Sequence, residues 1–167
     1  MKIPRNTLQR RGQRGSTVIE FALGWSVLWL LFSGVFQFGY TFYIYNILQT
    51  SVSNAAEMAS KMPYDNSNIS NFVTQTSKMA AYGDMSGSTP VIPGLSWTSC
   101  TQSGNVWTCG HVKVTVGMVT GSDGTTQVPT DVTVAITGFS VNAVFRSFTF
   151  SGKPRATVAY LGLPTGY

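Results

Sequence analysis

Gly15-Ser16-Thr17-Val18-Ile19-Glu20-Phe21 opens an apolar run, and the reading of this junction decides the fold. From Phe21 to Ala56 there are 36 residues without a single charge. A bilayer core is crossed by about 20 mostly apolar residues in a helix. FALGWSVLWLLFSGVF, residues 21–36, is the centre of that segment, and the membrane-spanning part is expected at about residues 21–42. Upstream lies a leader, residues 1–15, with Lys2, Arg5, Arg10, Arg11 and Arg14 and no acid. A secretory signal would place its apolar core before the cut. Here the plausible cut, between Gly15 and Ser16, precedes the apolar core, so the mature chain would keep its hydrophobic helix.

The formal net charge of +5 belongs to this leader: the rest of the chain has six basic and six acidic side chains. A basic face for nucleic acid is therefore not expected. Lys and Arg flanking an apolar span mark its cytoplasmic side. The expected topology has the N-terminus in the cytoplasm and the C-terminal domain outside, periplasmic or extracellular.

No proline occurs between Ser16 and Met62, and Pro63 ends the run. One helix is expected over 16–62, roughly 70 Å long at 1.5 Å per residue. Its first half is apolar all round. Its second half is two-faced, with Ile44, Ile47, Leu48, Ser51, Val52, Ala55 and Ala59 on one stripe. That stripe is expected to pack on the chain's own C-terminal domain. Residues 63–94 read as a turn cluster (PYDNSN), a short amphipathic helix through Ile69, Phe72, Val73, Thr76, Met79 and Ala80, and a loop. Ser67 or Asn68 is the expected cap of the short helix and Gly83 its end.

From Leu95 the period becomes two, and residues 95–167 read as an antiparallel β domain. A two-residue turn at Gly104-Asn105 places Cys100 opposite Cys109 in a non-hydrogen-bonded pair, where Cα atoms lie about 4.5 Å apart. A disulfide spans that distance, and an oxidising envelope compartment would form it. Val112, Val114, Val116 and Met118 alternate with polar residues, as do Val132, Val134 and Ile136. The intervening TGSDGTTQVPTD reads as turn. In 138–153 neither period prevails, and a last strand is expected at about Arg155–Leu161. The fold class is α+β: a long N-terminal helix continuing into a sheet of three to five strands, one face covered by that helix.

The candidates for chemistry are sparse. His111 is the only histidine, and a lone histidine is more often structural than catalytic. Two cysteines and one histidine do not fill a structural zinc site. Asp65, Asp84, Asp123 and Asp131 sit near turns, and Asp123-Gly124 lacks the carboxylate series of a calcium loop. No catalytic residue, cofactor site or metal site is expected. The aromatics Phe36, Phe38, Tyr40, Phe42, Tyr43 and Tyr45 read as an interfacial belt, with Gly24, Gly34 and Gly39 permitting close helix approach inside a filament.

Three stretches resemble the TadE-like family of minor pilins, or pseudopilins, of tight-adherence pilus systems, which are type IV pilin-like. These are Arg10 to Leu23 around the Gly15-Ser16 junction, the aromatic and then alanine-rich Tyr40 to Ala59, and the ending, Val132 to Phe139 with Gly152 to Gly162. TadE-like helices often carry a proline soon after the Glu-Phe pair, where this chain has Gly24-Trp25-Ser26. The resemblance implies cleavage by a prepilin peptidase between Gly15 and Ser16. Glu20 and Phe21 then become positions five and six of the mature chain and serve assembly. It also implies an inner-membrane location before assembly, and as partners the lipid, the peptidase, other pilin and minor-pilin subunits and the pilus assembly platform. Alternatives are a type II secretion pseudopilin or a major type IV pilin, and a signal-anchored envelope binding module or enzyme.

Overall fold

The computed structural model describes residues 13–64, 68–122, 124–125, 127–142 and 147–162. The leader basics Lys2, Arg5, Arg10 and Arg11, and also Asp65, Ser67, Asp123, Val144 and Phe145, lie outside the described residues. The architecture is α+β: a long apolar helix, a short helix and a five-stranded antiparallel sheet. The chain divides into two compact units between Tyr40 and Thr41.

Helix α1 spans Gln13–Lys61. It is already helical at Gln13, the first described residue and three before the expected start, since Gln13-Arg14-Gly15 carries no interruption beyond the modest entropic cost of one glycine. Pro63 ends it on schedule. Upstream of Tyr40 the described side chains are exposed or half-exposed. In the second unit the expected stripe is buried: Ile44, Leu48, Val52, Ala55, Ala56 and Ala59 are core residues, and Ile47 packs beside them.

Helix α2 spans Ile69–Tyr82 and buries Phe72, Val73, Thr76, Ser77, Ala80 and Ala81. Two hydroxyls are tolerated there because each donates one turn back, Thr76 Oγ1 to Phe72 O (2.8 Å) and Ser77 Oγ to Val73 O (2.6 Å). Gly83 ends the helix in the left-handed region, φ 72°, its N–H on Met79 O. Asn68 precedes the helix but makes no side-chain capping bond, contrary to the expected role. Ser51 Oγ donates to Ala80 O (2.6 Å), tying the two helices.

The strands are β1 Cys100–Ser103, β2 Val106–Cys109, β3 Val112–Thr120, β4 Gln127–Asn142 and β5 Ser147–Ala159. They form a meander in chain order. One face carries the rows Trp107–Val114–Val134–Ala156 and Cys109–Val112–Ile136, which join the helices in one core. The other face carries Thr115–Thr133–Thr157 and Lys113–Ala135–Arg155. The short helix shares the covering of the sheet with the long one, approaching β2 and β3.

Two sequence expectations need correction. Gln127 to Asp131, read as part of a turn, begin β4. Pro129 is accommodated because β5 pairing stops at Asp131↔Ala159 and the β3 register shifts between Gly117 and Met118. Residues 138–153 are mostly strand. The period is lost there because the β4–β5 register shifts between Ala135 and Phe139 around Gly138, which has φ 67°. The last strand also ends earlier than expected, at Ala159. Tyr160 to Gly162 turn aside onto the end of α1, where Leu161 N and Gly162 N both donate to Ser60 O (2.9 Å).

Candidate functional site

The described start of α1 carries the residues expected at the cut and in assembly, Gly15, Ser16, Glu20 and Phe21. The Gly15–Ser16 peptide bond lies within the described part of α1, five residues before Glu20. Residues 15–20 are exposed, and a Cβ at Gly15 would meet no atom within 4 Å.

Glu20 lies seven residues into α1, about two turns, beyond the reach of the helix start. Among the described residues the ion pair is Lys61–Glu57 (2.7 Å), and Glu20 has none. Lys61 holds the Glu57 carboxyl below its ordinary range, chiefly through their hydrogen bond.

Downstream of Glu20 the surface is apolar on every side. Phe21 is 71% exposed and stacks on Trp25 at 6.3 Å. Trp29 and Phe32 lie 6.2 Å apart. Ser26 turns its hydroxyl back to Ala22 O (2.8 Å), so its polarity is satisfied within the helix, as hydrocarbon requires. Gly24, Gly34 and Gly39 have open space where a Cβ would stand. The helix is long and apolar enough to cross a membrane, with a mean hydropathy of 1.8 in its best window. Phe36, Phe38, Tyr40, Phe42 and Tyr43 are exposed, whereas Tyr45 packs on Phe150 at 6.2 Å and so belongs to the folded domain.

The disulfide site is built by the β1–β2 hairpin. Gly104, φ 60°, permits the tight turn, and the pairing runs Ser103↔Val106, Gln102↔Trp107, Thr101↔Thr108 and Cys100↔Cys109. The Cα atoms of the cysteines are 4.1 Å apart and the sulfurs are bonded.

His111 is a fastener. Ser96 N donates to its Nδ1 (3.1 Å), Ser96 Oγ lies 3.0 Å from the same nitrogen, and the ring meets Phe139 edge-on. Gly110, φ 65°, makes this possible: a Cβ there would sit 2.3 Å from Ser96 O. Among the described residues no group of three His, Cys, Asp or Glu could hold a metal.

One arrangement escaped the sequence reading. Tyr160 Oη donates to Met62 O (2.8 Å) and accepts from Tyr64 N (2.7 Å). The end of the chain thus satisfies carbonyls that α1 leaves open at its C-terminus. Burial raises both phenols above the ordinary tyrosine range. The signal in the sequence was only a tyrosine near the end of an expected strand.

A long, exposed, apolar N-terminal helix followed by a small antiparallel sheet defines an α+β protein with a single candidate membrane anchor. Comparison adds a likeness for one segment of the chain. The family model described as TadE-like protein matches residues 15–57, starting at the Gly15–Ser16 junction and ending within α1. This match covers about a quarter of the chain, so that segment is similar to TadE-like proteins. No curated protein and no solved structure gives a match.

Proposed function

We propose that the protein is a minor pilin or pseudopilin subunit of a tight-adherence type IV pilus, acting in assembly and not in catalysis. The basic leader keeps the N-terminus in the cytoplasm, the apolar helix enters the inner membrane, and a prepilin peptidase cuts between Gly15 and Ser16. The observation that carries the reading is the isolation of Glu20. In the uncut chain it is an exposed carboxylate two turns into an apolar helix, with no ion-pair partner among the described residues. A carboxylate inside the hydrocarbon is expensive. Cutting at Gly15 moves the helix start next to Glu20 and creates a new ammonium at Ser16. The N-terminal end of the dipole then favours the charge, and the ammonium of an adjacent subunit pairs with it.

The same step readies the helix for other subunits. Its apolar surface, exposed on all sides in this chain, exchanges lipid for pilin helices, and Gly24, Gly34 and Gly39 allow close approach. The folded domain beyond α1 supplies a specific surface, which favours a minor component over a shaft subunit. The partners in this reading are lipid, the peptidase, other pilin subunits and the assembly platform.

The test is the mass of the protein expressed with and without a prepilin peptidase. Loss of residues 1–15 only when the peptidase is present is the expected result. An intact Met1 terminus in both cases would favour an uncleaved signal anchor.

A further inference from the structure

The end of the sheet carries a cavity of about 530 Å³, a size typical of small-ligand sites. Its walls come from β1 (Gln102), the β1–β2 turn (Asn105), β2 (Trp107), β4 (Gln127) and the segment before α2 (Tyr64). Among the described residues no charged side chain lines it.

Trp107 is the unusual member. It is 4% exposed, yet its Nε1 makes no hydrogen bond among the described residues and is not sealed from solvent either. Trp97 differs, its Nε1 donating to Ser77 Oγ at 2.9 Å. An indole N–H can only donate, so this nearly buried lining residue brings an unpaired, solvent-reachable donor to the cavity. The glutamines supply the opposite polarity. Gln102 Nε2 donates to Gly104 O (3.2 Å) and Gln127 Nε2 to Thr120 Oγ1 (3.4 Å), which leaves both amide oxygens open as acceptors. The side chain of Asn105 makes no bond among the described residues and offers both polarities.

An uncharged hollow with one fixed donor and several amide acceptors selects a neutral ligand whose groups both accept and donate, and hydroxyls do both. A peptide would need a linear row of backbone partners, but these groups surround a hollow and come from separate elements. The adjacent edge strand β1 has only four residues. We propose that this cavity binds a neutral saccharide, Trp107 Nε1–H donating to a hydroxyl oxygen and the amide oxygens of Gln102 and Gln127 accepting from hydroxyl hydrogens. The site shares no residue with the processing and assembly segment, so it stands or falls separately.

The test uses the full chain in a detergent without a sugar headgroup, with its four tryptophans ¹⁵N-labelled at the indole and Trp107 assigned through Trp107→Phe. D-glucose, D-galactose and N-acetyl-D-glucosamine are titrated in turn, and N-acetyl-trialanine amide as a peptide. A saturable shift of the Trp107 resonance by at least one sugar, with the Trp97 resonance unmoved, is expected. Both glutamines are exposed, so Gln102→Ala with Gln127→Ala keeps the fold, and it should weaken that binding about tenfold or more. The proposal is overturned if no sugar gives a saturable shift, if the double variant binds as tightly, or if only the peptide moves Trp107.

Discussion

Leu28 and Leu48 lie in the same helix, are the same residue and sit twenty positions apart, yet one is 58% exposed and the other is fully buried. Charge does not separate the two regions, since both are uncharged, and each presents apolar side chains such as these leucines. The availability of a partner does. Around Leu48 the chain supplies its own, from α2 and the inner face of the sheet. Around Leu28 the neighbours are its own helix, with Trp25, Trp29, Leu31 and Phe32 bordering the same groove. An apolar surface of this extent needs lipid or other helices. The downstream half of α1 is thus part of a fold, and the upstream half is an apolar surface left exposed, long enough to cross a membrane.

That contrast gives its largest effect in stability. Leu48→Ala should cost about 2–5 kcal/mol through the cavity it leaves, read as a shift in denaturant midpoint of the detergent-solubilised chain. Leu28→Ala should leave that midpoint within about 0.5 kcal/mol of wild type, because no contact of the folded domain is lost. Equal losses would erase the distinction. Next in size is the disulfide. Cys100→Ser with Cys109→Ser should remove about 2–3 kcal/mol, the loop-closure value for so short a loop, in the same measurement.

A smaller effect sharpens the boundary of the folded unit. Tyr160→Phe removes one hydroxyl that bonds both Met62 O and Tyr64 N, and should cost about 1–3 kcal/mol. The pH dependence follows from the raised phenols. A raised folded-state value favours the protonated form, so this contribution is complete below the ordinary tyrosine value of about 10. It is lost as pH climbs through the folded-state values. Unfolding curves at rising alkaline pH should show stability falling, and Tyr160→Phe should flatten the fall.

Much of this was legible beforehand, for identifiable reasons. Helix α1 followed from an uninterrupted stretch ending at Pro63, and the burial of Leu48, Val52 and Ala55 from helical spacing. The β1–β2 register followed from a single turn at Gly104-Asn105, since one turn sets every pair in a hairpin. The extent of β4 and β5 was hidden because Gly138 and its register shifts scramble the alternation that marks a strand, and because Pro129 reads as a turn until its neighbour strand is known to end. The fastening of Ser96 by His111 and the Tyr160 clasp join residues far apart in sequence, so no local pattern announces them. The candidate site was legible as a motif at Gly15, Glu20 and Phe21. What the motif did not carry is that α1 is already helical at Gln13, about two turns before Glu20.

The most direct test of the proposed pairing is the recovery of Glu20→Gln in sheared pili from the native host, compared with wild type at equal expression and with the mass of the mature subunit recorded. The account predicts that the variant loses its leader like wild type but is depleted from the fibres, because the neutral amide gives the adjacent Ser16 ammonium no counter-charge. Recovery of processed Glu20→Gln in fibres at the wild-type level would contradict it.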